Sequence, residues 1–466
     1  MLQLLQKSVL FITLQTCNLN YICIIQKTKT MRIKKSLLVP FSLFNILIVN
    51  AQSEKIISFE EVLTKVQRNN HTIKISEQDY NVAKADYTQT NAILLPNITI
   101  SHSAISTTNP LMAFGTKLNQ EILVQADFLP SILNDPKEIQ NFATKIEVQQ
   151  PIFNADGLFM RKAAKAKMNA IQLQSVRTTD YIKLEVTKAY MQLQVAYKAV
   201  EVLEKAKEAA LENKKIAENN FKNGYMQKAD ILSVEMHVIE VENQLITIKS
   251  NVKNASDYLQ FLMGETSGTT LKPSTKLEAL VNTSIYDDEL SSNRADIEAM
   301  EKSTEAYTNM HKANKMSYLP RLNAFGSYEL YDDKLFGTTA KGYLVGAQLS
   351  WNVFEGFKRI GKTQKSKAEL DKAELSLDRY KNQSQLEFNK AKRQLKDAEN
   401  KLKLTSLAVE QSNEALRIRT NRFEQGLEKT SDLLISETQY LQKQLEYLQT
   451  VFNYNFTKAY VAFLTK

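Results

Sequence analysis

The residues able to do chemistry are few and scattered. Four histidines, His71, His102, His237 and His311, lie far apart in the 466-residue chain, and the two cysteines, Cys17 and Cys23, fall near its start. No His-Glu-x-x-His, no Gly-x-Ser-x-Gly and no glycine-rich phosphate loop occurs. Metal-assisted hydrolysis, acyl transfer and phosphoryl transfer therefore lack their residues, so neither an enzyme nor a cofactor is expected. What does recur at fixed spacing is an aspartate behind a glycine. Asn219-Asn220-Phe221-Lys222-Asn223-Gly224 is followed by Asp230 and Glu235, and Asn421-Arg422-Phe423-Glu424-Gln425-Gly426 by Asp432 and Glu437. Glycine allows a tight reversal between antiparallel helices. The aspartate can cap the returning helix, or it can present charge at the tip of a wall of helices, to a partner or across an aperture.

The elements that would hold such tips are long. Val345, Ala347, Leu349, Trp351 and Val353 alternate with Gly346, Gln348, Ser350 and Asn352, which predicts a strand over 343–354 with one apolar and one polar face. Its length suits a tilted strand crossing a bilayer. A helical pattern then runs over 356–422 without proline, roughly 100 Å at ~1.5 Å per residue. Trp351, the only tryptophan, and Phe354 lie where a membrane-interface belt would place aromatics. Glycine and proline number only 12 and 8, against about 33 and 23 at average usage; few breakers mean long uninterrupted elements.

The start of the chain reads as a leader. Arg32, Lys34 and Lys35 precede an apolar run, Leu37 to Val49, that ends in Val49-Asn50-Ala51. This predicts a signal peptide over 31–51 and an over-extended start over 1–30. The first 51 residues hold six basic side chains and no acidic ones, so the net charge of +9 becomes 9 − 6 = +3 without them. That balance is no nucleic-acid footprint, and no cysteine would remain to form a disulfide or carry a lipid. No 20-residue apolar segment follows the leader, so any membrane crossing must be made by strands.

The rest is predicted to be a duplication. The first repeat, 52–263, comprises a helix 59–93, strands 97–107 and 144–153, a long helix 157–221 and a helix 226–263. A connector over 264–291 leads to the second repeat, 292–466, with a helix 292–318, strands 321–331 and 343–354, a long helix 356–422 and a helix 428–465. Pro96 to Pro320 is an offset of 224, Phe153 to Phe354 of 201, and Gly224 to Gly426 of 202. The offset drops only between the two strands, where the first loop, Thr108 to Asn141, is longer and is expected to be external. Insertions belong in loops, so the duplication stands. The stripe Leu370, Ala373, Leu377, Tyr380, Ser384, Phe388, Ala391, Leu395, Ala398 and Leu402 predicts the packing seam of the second long helix, at a period near 3.6 that suits nearly straight helices side by side.

Four strands cannot close a barrel, and an open sheet edge in lipid leaves unpaired backbone groups at several kcal/mol each. The fold class is therefore mainly α with a small β part, the strands contributed to a barrel shared between copies. The Leu95-Pro96 and Leu319-Pro320 steps, Gln150-Pro151-Ile152-Phe153, Ser350-Trp351-Asn352-Val353-Phe354-Glu355-Gly356, Phe261-Leu262-Met263-Gly264 and the two Phe-x-x-Gly tips resemble the outer-membrane efflux protein family of the TolC type. The resemblance covers Phe59 to Lys466. It implies a homotrimer with a 12-stranded barrel in the lipid of a Gram-negative outer membrane and a helical tunnel through the periplasm. It also implies a passive exit duct coupled to an inner-membrane pump through a periplasmic adaptor that docks on the tips: Asn219, Phe221, Gly224 and Asp230 in the first, Asn421, Phe423 and Gly426 in the second. Asp432 matches the family's aperture aspartate. Phe423 stands where a locking tyrosine would be, Glu428 where an arginine would be, and Ile435 where a second gate aspartate would be. A periplasmic helical scaffold is the alternative; it would explain the helices but not four alternating strands at duplicated positions. No His/Met cluster or other feature names the cargo.

Overall fold

A computed structural model describes residues 54–266, 268–280, 289–291 and 293–466. The leader expected over 1–51 and part of the expected connector lie outside the described residues. In chain order the elements are β1 (Lys55–Ile57), α1 (Phe59–Asn69), α2 (His71–Gln89), β2 (Asn97–Thr107), α3 (Pro110–Asn119), α4 (Pro130–Asn134), β3 (Ile139–Phe153), α5 (Ala155–Lys222), α6 (Lys228–Leu262), β4 (Leu271–Pro273), α7 (Ala295–Met316), β5 (Arg321–Asp332), β6 (Ala340–Ser350), α8 (Lys358–Glu424) and α9 (Thr430–Thr465). The chain is mainly α with one four-stranded sheet and a duplicated helix-strand-strand-helix-helix order.

The long helices α5 and α8 have 68 and 67 residues, each about 100 Å at ~1.5 Å per residue. On α5 the buried stripe is rich in alanine, Ala163, Ala166, Ala170, Ala189, Ala196, Ala210 and Ala217, so neighbouring helices can approach closely. On α8 the seam buries Leu370, Ser384, Phe388, Ala391 and Leu402. Each long helix packs on a returning helix, α5 on α6 and α8 on α9, and the shorter α2 and α7 both lie along α5.

Where the short helices meet the returning ones, the two repeats share a joint. In the first, Asn70 caps α2, its Oδ1 accepting from the N–H groups of Thr72 and Ile73, while its Nδ2 donates to the carbonyl of Leu262 at the end of α6, at 2.8 Å. In the second, Arg294 sits before α7 and donates to the carbonyl of Leu464 at the end of α9. The offsets are 294 − 70 = 224 and 464 − 262 = 202, those of the proline and glycine landmarks. The expected single helix over 59–93 is broken here, because Asn70 leaves helical geometry to serve both ends. Around Arg294 the joint becomes an ionic cluster: Arg177 of α5 reaches Asp296 at 3.2 Å and donates to the Phe463 carbonyl, and the Tyr380 hydroxyl of α8 donates to Asp296 at 2.7 Å. Burial opposes the charged carboxylate, but hydrogen bonds from Arg294 and Tyr380 and the two guanidinium charges outweigh it and hold the Asp296 carboxyl below its ordinary value. Burial, with the bond to Asp296, pushes the Tyr380 phenol up to about 12.

A small parallel pair, β1 with β4, closes the other side of the first joint over Ile57, Val62, Val66, Tyr190, Leu193, Leu259 and Leu271. Its strands are too short for an alternation to show in the sequence.

The main sheet has the order β2-β3-β5-β6, antiparallel throughout. Register brings Ile100, Ile146, Tyr328 and Tyr343 side by side, and Ile98, Val148, Gly326 and Val345 beside them. The opposite face carries Ser101, Lys145, Glu147, Ser327 and Glu329, with Lys145 3.1 Å from Glu147 and 3.4 Å from Glu329. Phe325 lies over Gly346, where a Cβ would come within 2.7 Å of the ring. One face is thus apolar and exposed; the other is polar and paired around Lys145, with Phe325 and Leu344 as apolar exceptions. β2 and β6 have no strand on their outer sides among the described residues.

The sheet corrects the expected strands. The last one spans 340–350, not 343–354: Trp351 leaves the ladder and its Nε1 donates to the Tyr318 carbonyl at 3.0 Å. The chain then turns through left-handed Gly356 and Phe357, so α8 begins at Lys358 rather than at 356. The second strand begins at Ile139, five residues before its expected start. The segment after β2 is not an open loop but a folded insert holding α3 and α4.

Candidate functional site: the hairpin tips

The two reversals share one geometry. After α5 the Gly224 N–H bonds to the Phe221 carbonyl and the Tyr225 N–H to that of Asn220; after α8 the Gly426 N–H bonds to Phe423 and the Leu427 N–H to Arg422, all at 2.8–3.0 Å. This is a Schellman closure, with φ of +78° and +71° at the glycines. Both glycines are open on all sides, so the left-handed backbone alone requires them.

The side chains around the turns differ. Tyr225 is 84% exposed and Phe221 41%, whereas Phe423 is buried at 3%. Asn219 and Asn421 are both exposed. In the second tip Glu428 takes Arg419 at 2.7 Å and Arg422 at 2.8 Å. The corresponding positions of the first tip hold Met226, Ala217 and Asn220, so no such brace forms.

The aspartates also part ways. Asp230 accepts from the Gln227 N–H at 3.3 Å and closes the start of α6. Asp432 stands three residues inside α9's cap in the same way but turns to Arg419, 3.9 Å away, and stays 43% exposed. One repeat position thus serves as a cap in the first tip and as a charge beside an arginine in the second.

Two turns above the tips a buried polar cluster joins the hairpins. Glu437 of α9 accepts from the Asn213 amide of α5 and lies 3.1 Å from His237 Nε2 of α6. Its repeat counterpart Glu235 is half-exposed on Lys214 at 3.2 Å. Sequence spacing singled out both glutamates without separating them; the difference is that His237 and Asn213 converge on one of them only.

At the opposite end, Trp351 and Phe354 are 59% and 75% exposed just past β6, with Phe354 edge-on to Phe357. No described helix is long and apolar enough to cross a membrane. Among the described residues no group of three or more His, Cys, Asp or Glu could hold a metal ion.

The family profile described as outer membrane efflux protein matches residues 62–265 and 287–462. The chain belongs to the outer membrane efflux protein family. No curated protein matches the sequence. Solved structures do match the fold. CusC, in structures concerned with transmembrane channel formation, aligns with a TM-score of 0.76 at 12% identity over 88% of this chain and 92% of its own. The outer membrane protein VceC of Vibrio cholerae gives 0.73 at 16% over 87% and 95%, and the CmeC outer membrane channel of Campylobacter jejuni 0.73 at 16% over 87% and 85%. At such identities the likeness is one of fold: this efflux family member has the architecture of known outer-membrane channels.

Proposed function

We propose that the protein is a passive exit duct of a Gram-negative outer membrane, built from three copies. The observation that carries this is the sheet with two bare edges and one exposed apolar face. An isolated sheet of this kind in lipid leaves two rows of backbone groups unpaired. In the order β2-β3-β5-β6 the outer strands run in opposite directions, so β6 of one copy meets β2 of the next antiparallel and the pattern closes without a break. Three copies give 12 strands, an even number as such barrels require. Eleven residues of β6 at ~3.4 Å and a ~40° tilt stand roughly 29 Å tall, enough to cross a barrel's apolar band of about 25 Å. The polar face, with Lys145, Glu147 and Glu329, then lines water. The Trp351–Phe354 segment lies at the inner membrane boundary, and the helices continue the conduit into the periplasm.

The helices support the same closure. Leu375, Leu386, Leu404 and Ile418 on α8, and Leu232, Met236, Ile239 and Ile246 on α6, remain exposed in the single chain. These stripes lie on the outer helices of the two hairpins, where a ring of copies would bring one against the other.

Energy comes from an inner-membrane pump, and a periplasmic adaptor docks on the tips at Asn219, Phe221, Gly224, Asp230, Asn421 and Gly426; Phe423, expected among them, is buried and supports the second turn from beneath instead. Asp432 borders the aperture, where three like charges repel one another and attract cations. The test is Asp432→Arg with Gly426→Pro, whose ring cannot adopt positive φ. Purified in detergent and measured by light scattering, the variant is expected to keep the mass of three chains while cells lose export. A one-chain mass for the native protein would favour the scaffold alternative; loss of three-chain mass in the variant alone would make the tips structural.

A further inference from the structure

The insert between β2 and β3 is a compact unit. Asn109 caps α3, Lys117 pairs with Asp127 at 2.7 Å, Asp127 also accepts from the Val124 N–H, and Phe114 meets Phe128 edge to face. It is fastened to the outer end of the sheet through the buried Gln120, whose Nε2 donates to the Gln140 and Asp332 carbonyls and to the Asn141 side chain. α3 itself packs against β3 and β6. By the strand alternation Asn141 and Ala340, both buried, belong to the polar face. The insert therefore overhangs that face, the one that encloses water in the barrel proposed above.

On the side turned away from the sheet, α3 presents Leu111, Met112, Gly115 and Leu118 at helical spacing. Leu111 is 81% exposed, and nothing lies within 4 Å of where a Cβ of Gly115 would be. A mid-helix glycine costs about 1 kcal/mol relative to alanine, and the chain itself gives no contact that requires it. Close approach of another helix does. A 12-stranded barrel at ~4.8 Å spacing and ~40° tilt measures about 24 Å between opposite backbones, and one helix with side chains is about 10 Å wide. Three such inserts, hung over the mouth from three sides, are together wide enough to span it.

We infer that the occupant of this apolar face is α3 of the two other copies, and that the three helices close the outer mouth of the duct. The inference rests on the three-copy reading. The closure is apolar, so it resists water and ions by dewetting, and it opens when cargo parts it. The exit thus carries a barrier of its own, distinct from the tips, which lie beyond the whole height of the sheet and the roughly 100 Å of α5.

The test uses the full chain with Cys17 and Cys23 changed to serine and Leu111→Cys added, purified as the detergent-solubilised particle. A short bis-maleimide is expected to link copies into dimers and trimers on a denaturing gel. In planar bilayers, Leu111→Glu with Leu118→Glu is expected to raise single-channel conductance several-fold, and so is replacement of residues 110–134 by a glycine-serine linker. A three-chain particle in which Leu111→Cys stays unlinked overturns the inference and leaves the duct standing. So does its labelling by a membrane-confined maleimide, which would assign the face to lipid, or an unchanged conductance in the glutamate variant. A one-chain particle overturns both.

Discussion

At the residue scale, one local device recurs three times, twice in open space and once against a neighbouring helix. Gly224, Gly264 and Gly426 all end helices with φ between +68° and +78° and the same pair of backbone hydrogen bonds. Around Gly224 the space is open, whereas a Cβ on Gly264 would sit 2.7 Å from the Asn69 carbonyl oxygen. Alanine at 224 is therefore expected to cost only the left-handed backbone penalty, about 1–2 kcal/mol, felt as local fraying in hydrogen exchange. Alanine at 264 must also displace the end of α1, and is expected to lower the apparent thermal midpoint clearly more than alanine at 224; equal effects would mean that α1 yields freely. The reversals were legible because glycine behind a phenylalanine repeats at one offset. The fates of Asp230 and Asp432 were not. Spacing put both on the first turn of a helix, but which of them caps depends on Arg419, whose counterpart in the first half is Ala217, and no periodicity reports a partner that arrives from the neighbouring helix.

At the element scale, the stacking of short helices end to end on long ones followed from their lengths, yet the joint between them did not. Asn70 lies in an unbroken helical pattern, and nothing beside it marks a stop. Its reason for leaving the helix is a carbonyl almost two hundred residues away, at Leu262. The insert was missed for a similar reason: Pro110 and Pro130 read as loop residues but stand at the first turns of α3 and α4, where proline is tolerated. The joint of the second repeat has a pH signature. The Asp296 carboxyl is held below its ordinary value, so its contribution is complete above about pH 4 and is lost as pH falls further through the lowered value. Protection of the α7 and α9 ends in hydrogen exchange should then drop below about pH 4. Asp296→Asn should lower it at neutral pH and flatten the acid dependence, so that the two proteins converge. A gap between them that stays constant down to pH 2 would mean that the carboxylate's charge is not what holds the joint.

At the scale of the whole molecule, the sequence was enough to predict four strands in a sheet too small to close on itself, since that follows from counting, and the sheet has four. It could not show that the bare strands would be β2 and β6, because strand order in a sheet depends on how the two repeats lie against each other. Leu344 and Val345 are consecutive on β6, so one turns its N–H toward β5 and the other outward. Proline at the outward position spares the β5 ladder and removes only the bond that the proposed ring would make to another copy. It is expected to leave helical content by circular dichroism unchanged while abolishing the three-chain mass; retention of that mass by both proline variants would place the seam elsewhere. The bare edges also have a genetic consequence. In the proposed ring every copy supplies a sound edge to each neighbour, so one faulty subunit would breach the whole of it. Co-expressed in equal amounts with the proline variant, if subunits mix at random, sound chains would assemble only about one ring in eight wholly from themselves, and the defective allele would behave as dominant.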